Sequence, residues 1–359
     1  MTNPPLSWLP IPAPLDTGSA PTPAAHREPV AARGQVPSPS SRTRAVRLVA
    51  AVASAVLLGA GLAPTASAAA PSAGNPDAAQ LGTYWTPARM AAARPVGTGS
   101  TGSTGPAAAT ADGPRPGEFI PASRSFDGMP QAGTFFWTDA AGTHRTCSGS
   151  VVRSPGRDLV LSAGHCLTGA SGTSPKRHLG FVPQYHDGLT PFGVFPVRTN
   201  GVYVPQEYYD RGPHAGAAYD FAFAVTEPGQ DGRRIQDAVG ALDLLTGSGH
   251  SHAPVRMIGY PAGAQKPLEC LSRTTRWVSD DPADPGTFER IACDGFVGGT
   301  SGGPMLVPRS GGWAVTGIIG GYHTGGKTPK ISYSAHFGPA TRALYQAATT
   351  GAPPAGPAS

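Results

Sequence analysis

From about residue 125 the chain alternates short apolar runs with Gly, Pro and Asp breaks. "GTFFW" (133–137), "CSGSVV" (147–152) and "DLVLSAG" (158–164) read as strands, and the turn-rich "RSPGR" makes the last two a β-hairpin. "FGVFPV", "DFAFAV", "APVRMIGY", "TTRWV", "FERIAC", "WAVTGIIG" and "KISYSA" continue the texture. Only the end, "PATRALYQAATT" (339–350), has helical spacing. Many short strands at close intervals predict an all-β barrel or sandwich closed by one C-terminal helix.

Upstream the pattern is different. Arg42, Arg44 and Arg47 precede an apolar run from Leu48 to Ala63, and Ala66-Ser67-Ala68 follows. A basic start, an apolar centre and a small-residue cleavage pattern predict a signal peptide over 42–68. The run falls short of the roughly 20 residues that span a bilayer, so export is expected in place of a membrane anchor. Residues 1–41 are Pro-rich and are either a disordered extension or the product of a start assigned too far upstream. Residues 69–124 are dominated by Ala, Gly, Ser, Thr and Pro and are expected to be a disordered propeptide or linker. The tail 349–359 is expected to be disordered as well.

Composition adds two exclusions. The 359 residues include 49 Gly and 40 Pro, in keeping with a turn-rich β protein flanked by unfolded segments. The net charge of +5 is scattered, with no basic stripe, so nucleic acid is not an expected partner. The four cysteines, Cys147, Cys166, Cys270 and Cys293, form no CxxC pair, and no metal site or cofactor is expected. In an exported chain they read as two disulfides, with three pairings open.

Candidate chemistry lies within the β region. A serine hydroxyl needs a base to take its proton, and an imidazole base works best when a carboxylate fixes its tautomer. His165 in "LSAGHC" follows a strand and is flanked by small residues and a cysteine. Asp220 in "YDFAFAV" sits beside Tyr219 at the head of an apolar strand, where a buried carboxylate needs a partner. Ser301 lies in "GGTSGGP"; Gly299 has backbone freedom that lets its N–H and that of Ser301 converge on one oxyanion. The gaps are 55 residues (165 to 220) and 81 residues (220 to 301).

In these three motifs, their order and their approximate spacing, residues 125–348 resemble the chymotrypsin-like (trypsin-like) serine proteases. The resemblance implies two antiparallel six-stranded β-barrels and a C-terminal helix. His165 and Asp220 would come from the first barrel and Ser301 from the second. It implies the disulfide Cys147–Cys166, which leaves Cys270 to pair with Cys293. It further implies a secreted, monomeric serine endopeptidase acting on protein or peptide substrates, with no stable membrane association after signal cleavage; the alternative on the same fold is a catalytically silent binding protein.

Animal members carry Asp just before the nucleophile, where it binds the ammonium group freed on zymogen activation; Thr300 carries no charge. That residue, with Gly259-Tyr260-Pro261, makes the chain similar to the secreted bacterial branch, V8-like and glutamyl-endopeptidase-like. Gly295, Ile319, Gly320 and Gly321 occupy the positions that would line the primary specificity pocket. Ile319 stands where glutamate-specific relatives carry His, and His323 is displaced from that place by four residues. Asp294 is one position from the acid of trypsin-type pockets.

Overall fold

The computed structural model describes residues 76–96, 113–168 and 176–354. The expected signal peptide, the 1–41 extension and the end of the tail lie outside the described residues. Among the described residues no helix is long and apolar enough to cross a membrane.

Six strands form the first barrel: β1 (Ala132–Thr138), β2 (His144–Val152), β3 (Leu159–Ser162), β4 (Arg177–Pro183), β5 (Phe195–Tyr203) and β6 (Ala222–Thr226). They pair antiparallel in the order β2-β1-β4-β5-β6-β3, and β3 returns to β2 to close the ring. Closure removes the free sheet edges that would otherwise template aggregation.

The second half supplies β7 (Val255–Gly259), β8 (Leu268–Ser272), β9 (Thr274–Val278), β10 (Thr287–Ala292), β11 (Pro304–Arg309), β12 (Gly312–Ile318) and β13 (Ile331–Ala335). One sheet runs β8-β7-β11-β12 and the other β9-β10-β13. Only Arg273 separates β8 from β9, so a single bent stretch of chain serves both sheets. On the far side the Gly320 N–H donates to the Tyr333 carbonyl at 2.9 Å, and the Ile318 N–H to Ser334 Oγ at 3.0 Å. These contacts join β12 to β13 and wrap the two sheets into the second barrel around Val255, Met257, Ile291 and Met305. The helix Pro339–Thr350 starts at Pro339, with its preset φ, and stops at left-handed Gly351. It returns to the first barrel, where Tyr345 stacks edge-on against Phe223.

The "GTFFW" run shows why residues 69–124 do not all behave as expected. Apolar side chains on consecutive positions of β1 point to both faces of the sheet. Phe135 packs inside against Phe181, while Phe136 packs outside against Trp85 and Tyr185. The outer face therefore needs a cover, and residues 76–96 provide it. Asp77 and Gln80 form a reciprocal capping box that starts the helix Ala78–Tyr84; Thr86 and Pro87 start a second, Pro87–Ala91. Leu81, Trp85 and Met90 are buried in the first-barrel core, and the Trp85 indole N–H donates to the His178 carbonyl at 2.8 Å. Arg94–Pro95 then pairs in parallel with β2. The disordered propeptide or linker is thus corrected for 76–96: a few large apolar residues at helical spacing bury enough surface to fold onto the barrel. Trp85→Ala is expected to cost about 3–5 kcal/mol of stability, read as a lower urea midpoint of the full chain.

Other differences are local. The helix Gln206–Ala215 was not expected, because Gly212 and Pro213 interrupt its pattern; Gly212 has φ 74° and kinks the segment. Strands β4, β8 and β11 also lie outside the predicted runs. The "DFAFAV" strand begins at Ala222, with Asp220 left at the end of a short 3-10 turn.

Candidate active site

His165 lies in the one-turn helix Gly164–Thr168 that follows β3. Its position is pinned from both sides: Cys166 is bonded to Cys147 on β2, and Thr168 Oγ1 donates back to the Gly164 carbonyl at 2.8 Å. The second disulfide joins Cys270 to Cys293 within the second barrel. Gly164 packs closely on Asp220: a Cβ there would sit 3.1 Å from a carboxylate oxygen, so the neighbour would have to give way.

Asp220 is fully buried, and three N–H groups meet its carboxylate. The His165 backbone N–H donates to Oδ1 at 2.8 Å, and the Gly321 N–H donates to Oδ2 at 2.8 Å. His165 Nδ1 lies 2.8 Å from Oδ2. A carboxylate accepts and does not donate, so the pair places the imidazole proton on Nδ1. The Nε2 lone pair is thereby left outward. Nε2 is buried and has no hydrogen-bond partner among the described residues. The same carboxylate acts at a distance on Tyr208, whose hydroxyl pKa is raised by burial first and then by Asp220 and Asp284.

Ser301 is half-buried in the turn between Phe296 and β11. Two contacts bring this turn against the His165 loop. The Ser301 carbonyl accepts the Ser148 N–H at 2.8 Å, and a Cβ on Gly302 would collide with Ser162 and the Ser148 carbonyl and approach the Ala163 nitrogen. The nucleophile candidate therefore adjoins a residue that touches the chain two positions before His165. Gly299 has φ 99°, and a side chain there would run into the Ala262 nitrogen and Tyr260 carbonyl. Among the described residues the N–H groups of Gly299 and Ser301 have no backbone acceptor. Two neighbouring donors without partners form the arrangement that an oxyanion fills.

Ser148 had no role in the sequence reading, and it is buried at the centre of this contact. Its hydroxyl accepts the Tyr260 N–H at 2.8 Å and donates to the Gly299 carbonyl at 2.9 Å. Together with its own N–H on Ser301, Ser148 grips the turn on both sides of Thr300. Its only sequence mark is a small polar residue directly after Cys147, in a strand that carries other polar residues as well. Thr300 is buried too: its hydroxyl donates to the Val297 carbonyl at 2.7 Å and its methyl packs on Gly259. The neutral residue thus closes its own turn, where an acid would need an incoming cation.

The four residues expected to line the specificity pocket have different near neighbours. Gly320 and Gly321 lie against Asp220. Ile319 is buried in the second-barrel core, bracketed by backbone bonds to Gly302 and Gly303. Gly295 faces Ser123 and Leu268, and the Asp294 backbone is tied to Pro121 and Ser123. The sulfur atoms nearest His165 belong to the Cys147–Cys166 disulfide and are not available to a metal.

No protein-family model matches the chain, and no curated protein matches its sequence. Solved structures do. The protease Anisep from Arthrobacter nicotinovorans superposes with a TM-score of 0.53 at 25% identity, over 64% of this chain and 99% of its own. A thermostable serine protease, AL20, from an extremophilic microorganism gives 0.51 at 26% identity, over 62% of this chain and 97% of its own. The fold is that of the chymotrypsin-like serine proteases. Within that fold the candidate residues come from both barrels: His165 follows β3, Asp220 precedes β6, and Ser301 precedes β11. The 76–96 cover is continuous with the first-barrel core.

Proposed function

We propose that the chain is an exported serine endopeptidase in which Ser301 is the nucleophile, His165 the general base and Asp220 the residue that orients it. The observation that carries this reading is the buried Asp220–His165 pair, which leaves Nε2 without a hydrogen-bond partner among the described residues, while the Ser301 turn rests on Ser148 and on the Ser162–Ala163 segment just before His165. Ser301 Oγ attacks the substrate carbonyl as its proton passes to His165 Nε2. The Gly299 and Ser301 N–H groups hold the oxyanion. His165 then returns the proton to the leaving amine, and water activated by the same nitrogen releases the acyl group from Ser301. Substrates are proteins or peptides, as the names of the two similar structures support.

Export through the 42–68 signal accords with two disulfides, which persist in oxidising compartments. We take the protein to act as a monomer outside the cell. The catalytic domain is 125–348, with 76–96 retained as its cover. Casein cleavage by the full chain and by its Ser301→Ala form tests the reading; equal cleavage by both would exclude Ser301 as nucleophile.

A further inference from the structure

Three chain segments beside Asp220 converge on a second buried carboxylate. Asp284 lies in the connection between β9 and β10 and is 1% exposed. Its Oδ2 is 3.1 Å from Nδ1 of His323 and 3.1 Å from Nδ1 of His214. Asp281, from the same connection, places its Oδ2 3.5 Å from Nε2 of His323. His323 is itself inside the fold, with a side chain 8% exposed.

Both ring nitrogens of His323 therefore face a carboxylate. A neutral imidazole has one N–H, so it donates to one acid and turns a lone pair toward the other. Lone pair and anion repel unless a positive charge sits between them. That charge is either a second proton on the ring or a cation. Ligand atoms of Asp281, Asp284 and His323 all lie within 4.8 Å of one another. Ligands bound to one ion at about 2.0–2.2 Å span nearly this spread. Two carboxylates balance a double positive charge. One imidazole nitrogen with two carboxylate oxygens suits a borderline cation of zinc type; calcium takes six to eight oxygens.

We propose that Asp281, Asp284 and His323 form a binding site for a divalent cation of zinc type. His214, through Nδ1 on Asp284, orients that ligand, as outer partners of metal-bound carboxylates do. The expectation of no metal rested on cysteine spacing, and these residues are too far apart in sequence to form a motif. The placement gives the ion a structural task. His214 lies in the last turn of the helix, six residues before Asp220, and His323 comes two residues after Gly321, whose N–H holds Asp220. The Tyr208 hydroxyl pKa is raised by burial first and then by both Asp220 and Asp284. A bound cation would tie together the two segments that hold Asp220.

The test is titration of the EDTA-stripped full chain with ZnCl2 by calorimetry, with a thermal scan alongside and CaCl2 as the comparison salt. One equivalent of Zn2+ is expected to bind and raise the unfolding temperature, whereas CaCl2 leaves it unchanged. Asp281→Asn and His323→Gln are expected to weaken Zn2+ binding at least ~10-fold, and His214→Gln by about 10-fold. The side chains of Asp281 and His214 are 30% and 66% exposed, so those two variants keep the test open should His323→Gln not fold. His250 and His336 stack 4.1 Å apart elsewhere and provide the control. Absence of stoichiometric binding would overturn the proposal. So would binding unchanged in Asp281→Asn and His214→Gln but lost in His250→Gln.

Discussion

Replacing Ser301 by alanine is expected to lower peptide hydrolysis by about 10⁶-fold, the loss typical when a triad nucleophile is removed, while leaving the unfolding midpoint unchanged. The two halves of this expectation have separate causes. The contacts that hold the turn are made by backbone and neighbours: the Ser301 carbonyl on Ser148, the Gly302 N–H on Ile319, the Gly303 N–H on Thr300. Among the described residues no hydrogen bond of the Ser301 hydroxyl holds the turn, so alanine removes an oxygen without unpicking it. The chemistry, by contrast, loses the only atom that can carry the acyl group. What survives is the rate from binding and from the oxyanion donors, roughly 10³–10⁴ over water. Initial rates on a peptide substrate and a urea melt of each form check both halves.

Asp220→Asn is expected to slow turnover by about 10⁴-fold, and unlike the serine change it is also expected to destabilise the fold, by roughly 1–3 kcal/mol. Asp220 accepts three N–H groups on two oxygens. An asparagine has one carbonyl oxygen and an NH2 group that can only donate. Whichever way it turns, at least one N–H from His165 or Gly321 loses its acceptor in a fully buried place. If the amide nitrogen faces Nδ1, the ring presents its lone pair there and carries its proton on Nε2. His165 then cannot accept the proton from Ser301. The two variants therefore differ in kind, with stability separating them.

Much of this site was legible because its chemistry imposes local textures. A histidine between small residues and a cysteine, an acid heading an apolar strand, and a serine among glycines each reflect a close approach seen in the structure, as at Gly164 and Gly302. What escaped were features whose cause lies elsewhere in the chain. The 76–96 cover is hidden among Ala and Gly; its helices depend on Phe136 needing a partner for its outer face. Strand β8 reads as "LECLS", with Leu271 exposed and Glu269 paired to Arg124 and Arg256. No alternation marks it. Ser148 matters because the turn from the other barrel lands on it. Two of the glycines assigned to the pocket have close neighbours of their own: a Cβ on Gly320 would press on Asp220, and one on Gly321 would collide with the Ala335 nitrogen.

In the proposed function, Ser301 is a nucleophile made reactive by His165. Reaction of the full chain with a fluorophosphonate, followed by peptide mapping, tests it most directly. One adduct is expected, on Ser301, formed far more slowly in the Asp220→Asn protein. An intact chain that takes up no fluorophosphonate, or takes it up at another residue, would contradict it.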